Sequence, residues 1–235
     1  MFHVSRDTAR RDIIKLVEAG LAIRTHGGIA SPDVKKKIKA YKERLSTASK
    51  EKQLIGKKAS AYIAEGDLCF LDVSTTIKSL CEHVNVPAVI FTHSLDNAEI
   101  LSTKENIELH LLGGVFHQKN RFFHSPAMIA QLKEIYFDKA FFGAAGILSD
   151  GIYFEDQEDA FIKKTVAERS KQIILVTDGQ KFNHPSRYKA MSLSDLDIFI
   201  TDRKPPEIFI RLFTENDVKI EFIAEENEQT LEDKK

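Results

Sequence analysis

The sequence has no tryptophan and only two cysteines, Cys69 and Cys81, among its 235 residues. Neither cysteine lies at a spacing from histidines or another cysteine pair that would build a zinc site, so we expect no metal centre and assign the thiols no chemistry. Eleven glycines, six prolines and 43% hydrophobic residues exclude collagen-like, low-complexity and globally disordered chains.

The sequence also has no run of 18 apolar residues, and residues 1–4 lack the charged-then-apolar layout of a signal peptide. We therefore expect a soluble cytoplasmic protein with no membrane partner.

Charge is distributed unevenly along the chain, although the formal net charge is only -1. Residues 1–58 contain fifteen Lys and Arg against six Asp and Glu, whereas the remainder contains nineteen against twenty-nine. Because Lys and Arg displace counterions from phosphates, the basic segment favours a polyanion partner such as nucleic acid. The stretch 35–58 taken alone is more typical of a solvated linker helix.

Residues 5–20 have the start and stop signals of one short helix. Ser5 is a good N-cap, and Gly20 can end the helix in a left-handed conformation. Residues 21–24 and 29–30 predict two short strands around a tight turn. A helix that buries one face and presents Arg6, Arg10 and other cations on another, followed by such a wing, is typical of a reader of the DNA major groove.

This segment resembles the signature of the DeoR family of bacterial sugar-metabolism repressors, Ser-x-x-Thr-x-Arg-Arg-Asp, then Gly-Leu, then Arg-x-His-Gly-Gly. The matching residues are Ser5, Thr8, Arg10, Arg11, Asp12, Gly20, Leu21, Arg24, His26, Gly27 and Gly28. The resemblance implies that Ser5, Arg6 and Thr8 face base edges. It implies that phosphates are held by Arg10, Arg11, Arg24 and His26.

A winged helix-turn-helix needs two helices before its recognition helix, but only residues 1–3 precede the Val-Ser motif. We therefore expect a partial winged domain over residues 1–30 that binds operator DNA weakly, since an isolated helix of this length is marginal in water. We expect a linker helix at 31–58, an effector-binding domain at 59–225 and an acidic tail at 226–235.

From about residue 60, short apolar runs alternate with amphipathic stretches. Strands that are apolar on both faces and alternate with helices predict an α/β fold, with a mostly parallel sheet covered by helices on both faces. The predicted strands are 68–72, 88–92, 107–112, 139–143, 172–177 and 198–201, and the predicted helices are 75–83, 96–102, 126–132 and 158–170.

Polar residues and glycines follow these strands, where an open α/β sheet forms its ligand crevice. The candidate ligand-binding residues are Asp72, Ser74, Thr75, Thr76, Thr92, His93, Ser94, Gly113, Gly114, Glu158 and Lys181. Hydroxyls and amides at Ser74–Thr76 indicate either an anion site or an ordinary helix cap. Lys181 suits a phosphate, and Asp72 and the Glu158–Asp159 pair suit sugar hydroxyls, so the set indicates a phosphosugar. His93 either assists the anion or is a hydrogen-bonded structural residue.

The same region is similar to the DeoR effector domain at residues 72–76, 92–94, 112–114, 142–146, 159–160, 178–182 and 200–202. The resemblance implies a phosphosugar isomerase-like fold that binds phosphorylated sugars as inducers. The chain departs from the family motifs at Ser74, His93, Ser125–Pro126 and Gln180, where Gly, Asn, Gly-Pro and Ser are usual. These departures alter the expected pocket.

Three functions follow from these patterns. The first is a repressor of a sugar-utilisation operon, without cofactor or catalysis, in which a phosphosugar changes the arrangement of DNA-binding heads in a homo-oligomer. The second is a phosphosugar isomerase or deaminase with Asp72 or Glu158 as base. The third is an effector module that no longer binds DNA. The recognition-helix signature favours the repressor, because an isomerase has no use for it.

Overall fold

A computed structural model describes residues 13–15, 23–25, 28–30 and 49–223. The chain divides into two compact units, Met1–Ile38 and Lys39–Lys235. In the first unit, residues 13–15 are helical. Strands β1 (Ile23–Thr25) and β2 (Gly28–Ala30) pair antiparallel, with Ile23 opposite Ala30, as the predicted wing requires. The remainder of the predicted recognition helix, residues 31–48 of the linker and the acidic tail lie outside the described residues.

The second unit contains a seven-stranded sheet, a two-stranded hairpin and a three-stranded sheet. In chain order its strands are β3 (Leu68–Leu71), β4 (Ala88–Thr92), β5 (Ile107–Leu111), β6 (Val115–His117), β7 (Phe122–His124), β8 (Phe137–Phe142), β9 (Gly146–Leu148), β10 (Gly151–Phe154), β11 (Ser170–Val176), β12 (Tyr188–Met191), β13 (Ile198–Thr201) and β14 (Lys219–Phe222). The seven-stranded sheet has the order β14-β13-β11-β8-β3-β4-β5, and every neighbouring pair in it is parallel. The hairpin β6-β7 and the three-stranded sheet β12-β10-β9 are antiparallel.

Helices cover both faces of the parallel sheet, because successive strand residues point to opposite sides. In β3, Phe70 joins one apolar core, while Cys69 and Leu71 join the other. The helices of this unit are α1 (Ser49–Ser60), α2 (Thr75–His83), α3 (Leu95–Leu101), α4 (Pro126–Lys133), α5 (Gln157–Ala167) and α6 (Glu207–Glu215). Helices α4, α5 and α6 contribute to the core that contains Phe70, and helices α1, α2 and α3 contribute to the core that contains Cys69.

The predicted α/β fold with a parallel sheet covered on both faces is confirmed. The helix predicted at 158–170 is too long, because α5 ends at Ala167 and Ser170 already pairs with Phe137 as the first residue of β11. Four features of the structure were not predicted from the sequence, namely the β6-β7 hairpin, the small antiparallel sheet, α6 and β14. Among the described residues, none of the helices has the length and apolar character needed to cross a membrane.

Gly56 is a point of close contact between α1 and α2. A Cβ at this position would lie 2.7 Å from the backbone nitrogen of Leu80 and 2.7 Å from the carbonyl carbon of Ser79. Backbone atoms inside a helix cannot move away as a flexible side chain can, so α1 packs closely here only because residue 56 has no side chain.

We expect Gly56→Ala to lower the free energy of unfolding by about 1 to 3 kcal/mol, although alanine is the better helix former. Chemical denaturation followed by circular dichroism measures the change. The matched control is Lys57→Ala at the adjacent exposed position, which should alter stability by less than about 0.5 kcal/mol. Equal stability of Gly56→Ala and the wild type would show that the two helices are not in close contact.

Candidate functional site

Four ionisable side chains meet inside the second unit, at the carboxyl ends of β3 and β4. Asp72 follows β3, His93 follows β4, and Asp159 and Lys163 lie one turn apart on α5. Their exposed fractions are 0% for Asp72 and His93, 1% for Lys163 and 8% for Asp159. We call these four residues the buried cluster. Charged groups are removed from water this completely only when they pair with one another.

Lys163 joins the two carboxylates of the buried cluster. Its Nζ lies 2.8 Å from Asp72 Oδ1 and makes a second ion pair with Asp159 Oδ2. His93 Nε2 lies 3.1 Å from Asp159 Oδ1 and 3.9 Å from Asp72 Oδ1. The Lys163 ammonium also lies 4.5 Å from the centre of the Phe154 ring. Two carboxylates thus share one ammonium, with the imidazole beside them.

The charges of the cluster follow from burial and from these pairs. Burial alone would lower the pKa of Lys163, but Asp159 and Asp72 outweigh it and raise this pKa. For Asp159, burial is outweighed by Lys163 and His93, and the pKa of this carboxyl lies below its ordinary value. For Asp72, burial outweighs Lys163 and raises the pKa. Lys163 is therefore charged at neutral pH and Asp159 is ionised.

The buried cluster does not suit a metal ion, although Asp72, His93 and Asp159 each offer a ligand atom within 4.8 Å of the others. The Lys163 ammonium already contacts both carboxylates, and its raised pKa keeps the proton on it. A divalent cation would have to displace this charge from a water-free site. Lys163 therefore takes the place that a cation would otherwise fill.

Neighbouring backbone and side chains fix the position of Asp72. The Gly143 amide, at the end of β8, donates to Asp72 Oδ2 at 3.0 Å, and Asn97 Nδ2 donates to the Asp72 carbonyl at 2.8 Å. A Cβ on Gly143 would lie 2.5 Å from Ser74 Cβ, so the loop after β3 approaches β8 only because residue 143 is glycine.

The Ser74–Thr76 triplet begins α2 as an N-cap. Ser74 Oγ accepts hydrogen bonds from the amides of Thr76 at 3.1 Å and Ile77 at 3.3 Å. Thr75 and Thr76 are buried, and Ser74 is half-buried. An anion that uses these two amides has to displace the Ser74 hydroxyl, because an amide hydrogen serves one strong acceptor at a time.

Other candidate residues lie at the same edge of the sheet. Ser94 caps α3 by accepting from the Asn97 amide at 3.3 Å, and the hydroxyl of buried Thr92 donates to the Leu71 carbonyl at 2.6 Å. Gly113 and Gly114 are exposed just after β5. Lys181 ends a half-buried 3-10 turn after β11.

The structure places Glu158 outside the buried cluster. Glu158 is exposed in the first turn of α5, whereas its neighbour Asp159 points into the cluster. Lys163 was not among the site residues predicted from the sequence. Its spacing of four residues from Asp159 could have indicated it, because this spacing puts both side chains on one face of a helix.

The four departures from the family motifs have identifiable positions. Ser74 and Ser125 are N-caps, the latter for α4, whose first residue is Pro126. His93 belongs to the buried cluster, and Gln180 is exposed in the turn before Lys181. Of the candidate DNA-binding residues, Arg24 lies in β1. The others lie outside the described residues, namely Ser5, Arg6, Thr8, Arg10, Arg11 and His26.

We expect Lys163→Met to destabilise the protein by about 3 to 5 kcal/mol at neutral pH, because it leaves two buried carboxylates without a counter-charge. Those carboxylates then have folded-state pKa values above their unfolded values. A group of this kind favours folding at low pH and loses that contribution as the pH rises through its folded pKa.

The stability deficit of Lys163→Met relative to the wild type should therefore shrink when the pH falls from about 7 to about 5. Urea denaturation across this range measures it. The matched control is Lys164→Met at the adjacent exposed position, whose small effect should not vary with pH. A deficit that stays constant with pH would mean that Lys163 contributes packing rather than charge.

Two family models match the chain, the DeoR-like helix-turn-helix domain over residues 1–35 and the DeoR C terminal sensor domain over residues 47–203. The HTH-type transcriptional repressor GlcR of Bacillus subtilis is 39% identical over 229 residues, which are 97% of this chain and 88% of that protein. The glycerol-3-phosphate regulon repressor of Escherichia coli is 30% identical over 225 residues, which are 94% and 88% of the two chains.

Solved structures with the same fold are far less similar in sequence. The eIF2B beta structure from Chaetomium thermophilum has a TM-score of 0.50 and 14% identity, covering 72% of this chain and 54% of that one. Ribose 5-phosphate isomerase A from Methanocaldococcus jannaschii has a TM-score of 0.43 and 14% identity, covering 58% and 55%. The chain spans about half the length of these two proteins, and at such identities the likeness concerns the fold alone.

The family models together span both units, and the two repressors match nearly the whole chain. The similarity therefore favours the regulator over the alternative of a phosphosugar isomerase or deaminase. The chain belongs to the DeoR family, and it is a DNA-binding transcriptional regulator rather than an enzyme.

Proposed function

We propose that the protein is a cytoplasmic repressor of a sugar-utilisation operon, and that it releases operator DNA when a phosphorylated sugar binds at the carboxyl edge of the seven-stranded sheet. In this proposal a homo-oligomer presents several DNA-binding units, and the sugar changes their arrangement. Two relatives support the proposal by their names, which describe a transcriptional repressor and a repressor of a glycerol-3-phosphate regulon.

The observation that carries the proposal is the buried cluster beside the loop that begins α2. Sugar hydroxyls donate hydrogen bonds, and the carboxylates of Asp72 and Asp159 accept them. A phosphate needs hydroxyls, amides and a cation. The same sheet edge offers hydroxyls at Ser74–Thr76, backbone amides in the loop of Gly113 and Gly114, and a cation at Lys181. The remaining candidate contacts to the phosphosugar are Thr92, His93 and Ser94. Ligands of open α/β sheets bind at this edge.

The charges of the cluster favour binding over catalysis. Lys163 holds its proton, so it is no nucleophile, and the lowered pKa of Asp159 makes this carboxylate a weak base. Both groups are instead suited to orient hydroxyls in fixed directions. This is the property that an inducer-binding site requires.

A thermal-shift screen tests the effector proposal. We expect at least one of glucose 6-phosphate, ribose 5-phosphate and glycerol 3-phosphate to raise the melting temperature by about 5 to 10 °C at a concentration about a hundred times its Kd. The unphosphorylated parent compounds and inorganic phosphate are the ligand controls.

Thr75→Val removes a hydroxyl from the α2 loop and should reduce that shift, whereas Thr103→Val, at an exposed position outside the sheet edge, should leave it unchanged. If none of the three phosphates shifts the melting temperature of the wild type, the effector proposal is wrong.

The proposed DNA contacts are tested by gel shift on the promoter region of the regulated operon. We expect Arg11→Ala to weaken binding to all sequences alike and to reduce the salt dependence of log K by about one phosphate contact. Ser5→Ala should instead reduce the preference for the operator over random DNA. Lys133→Ala, on the exposed end of α4, is the control. Undiminished binding by the Arg11 variant would show that Arg11 contacts no phosphate. Absence of binding by the wild type would favour an effector module that does not bind DNA.

A further inference from the structure

We propose that the hairpin of residues 115–124 is a strap that opens and closes over the buried cluster, and that Asp156 is the latch that holds it shut. The identity of the ligand under the strap rests on the proposed function. The contacts of the strap itself lie within the second unit and do not depend on that function.

Phe122 of the strap covers the cluster. This side chain is fully buried, and with Val73 it forms a small apolar group separate from the two cores of the sheet. Its ring centre lies 5.6 Å from that of His93, edge to face, and 4.8 Å from that of His117. The strap therefore packs on the loop after β3 and on the end of β4 at once.

The tip of the strap binds the start of α5. Asn120 Nδ2 donates to Asp156 Oδ2 at 2.6 Å, and His117 Nε2 lies 3.6 Å from Asp156 Oδ1. Beside them, Lys119 Nζ lies 2.7 Å from Glu155 Oε1. Since α5 carries Asp159 and Lys163, the tip is fastened to the helix that supplies half of the buried cluster.

Asp156 has the position of an N-cap but does not act as one. Its backbone is extended, with φ -104° and ψ 138°, and it immediately precedes α5, yet its side chain makes no capping hydrogen bond. Aspartate is favoured at this position because its carboxylate accepts from the free amides of the first turn. The strap has taken the carboxylate away from the helix.

This competition lowers the difference in free energy between the shut strap and the open strap. When the strap is shut, Asp156 binds Asn120. When the strap opens, the same carboxylate turns to the amides of α5, so the loss of one bond is offset by the gain of another. Opening also exposes the cluster, because Phe122 packs against His93, and both His93 and Asp72 are completely buried while the strap is shut. A ligand therefore enters while the strap is open, and the strap then closes over it.

The remaining attachments of the strap do not involve the latch. The Phe123 amide donates to the His93 carbonyl at 2.9 Å, and Arg121 Nε lies 2.8 Å from Asp96 Oδ1. At its base, Gly114 has φ +148°, and a Cβ there would lie 2.4 Å from the His124 carbonyl oxygen. None of these contacts involves Asp156, so a comparison of the wild type with latch variants isolates the contribution of Asp156.

Hydrogen exchange followed by mass spectrometry, without ligand, tests the latch in two variants that differ in what they leave at α5. Asn120→Ala frees the Asp156 carboxylate to cap the helix, whereas Asp156→Ala removes the cap as well. We expect the amides of residues 115–124 to exchange about tenfold faster in both. The first-turn amides of α5, which Asp156 does not cap in the wild type, should exchange more slowly than in the wild type in Asn120→Ala, but not in Asp156→Ala.

The control is Lys119→Ala, which removes a half-exposed ion pair at the same tip and should change exchange by less than about threefold. Wild-type exchange of the strap in Asn120→Ala would overturn the proposal. So would a first turn of α5 that loosens together with the strap in that variant, because this is what a merely structural contact predicts.

A second measurement adds glucose 6-phosphate, ribose 5-phosphate and glycerol 3-phosphate in turn to the wild type. A compound that raises the melting temperature should also slow exchange in residues 115–124. If it raises the melting temperature without slowing that exchange, the strap proposal fails and the proposed function stands. If none of the three raises the melting temperature, the proposed function fails, and the latch variants still decide the strap.

Discussion

The arrangement of the candidate site depends on one interaction, the pairing of the Lys163 ammonium with the carboxylates of Asp72 and Asp159. All three groups are buried, where an unpaired charge is unfavourable by several kcal/mol or more. The pairing therefore fixes α5 at the end of β3, because separating the two would leave buried charges unpaired. It also holds His93 in place through Asp159.

The same pairing explains why the cluster suits a regulator rather than an enzyme. A group that transfers protons needs a pKa near the working pH. Here mutual attraction moves the pKa of Lys163 and that of Asp159 away from neutrality in opposite directions. These two groups are consequently fixed in charge and in geometry, which suits recognition of a polar ligand.

Much of the fold was predictable because its central strands are buried on both faces. Such strands appear in the sequence as short apolar runs, and β4 and β13 were predicted with their observed bounds. Helix α2 was also predicted correctly, because Ser74 signals its start. The small antiparallel sheet was missed, since β9, β10 and β12 are short and β12 joins from a distant part of the chain.

The candidate site was predictable only in outline. Glu158 and Asp159 differ by one position, and that position rotates a side chain by about 100° around a helix, so periodicity alone did not decide which carboxylate is buried.

The contact at Gly56 has a consequence for communication along the chain. Helix α2 begins at the loop of Ser74 and packs on α1 with no side chain between their backbones at this point. Because close-packed backbones leave no compressible gap, a translation of α2 at the end that carries Ser74 moves α1 with it. Helix α1 is the first described element of the second unit. A small displacement at the sheet edge thereby becomes a rigid-body movement at the start of the sensor domain.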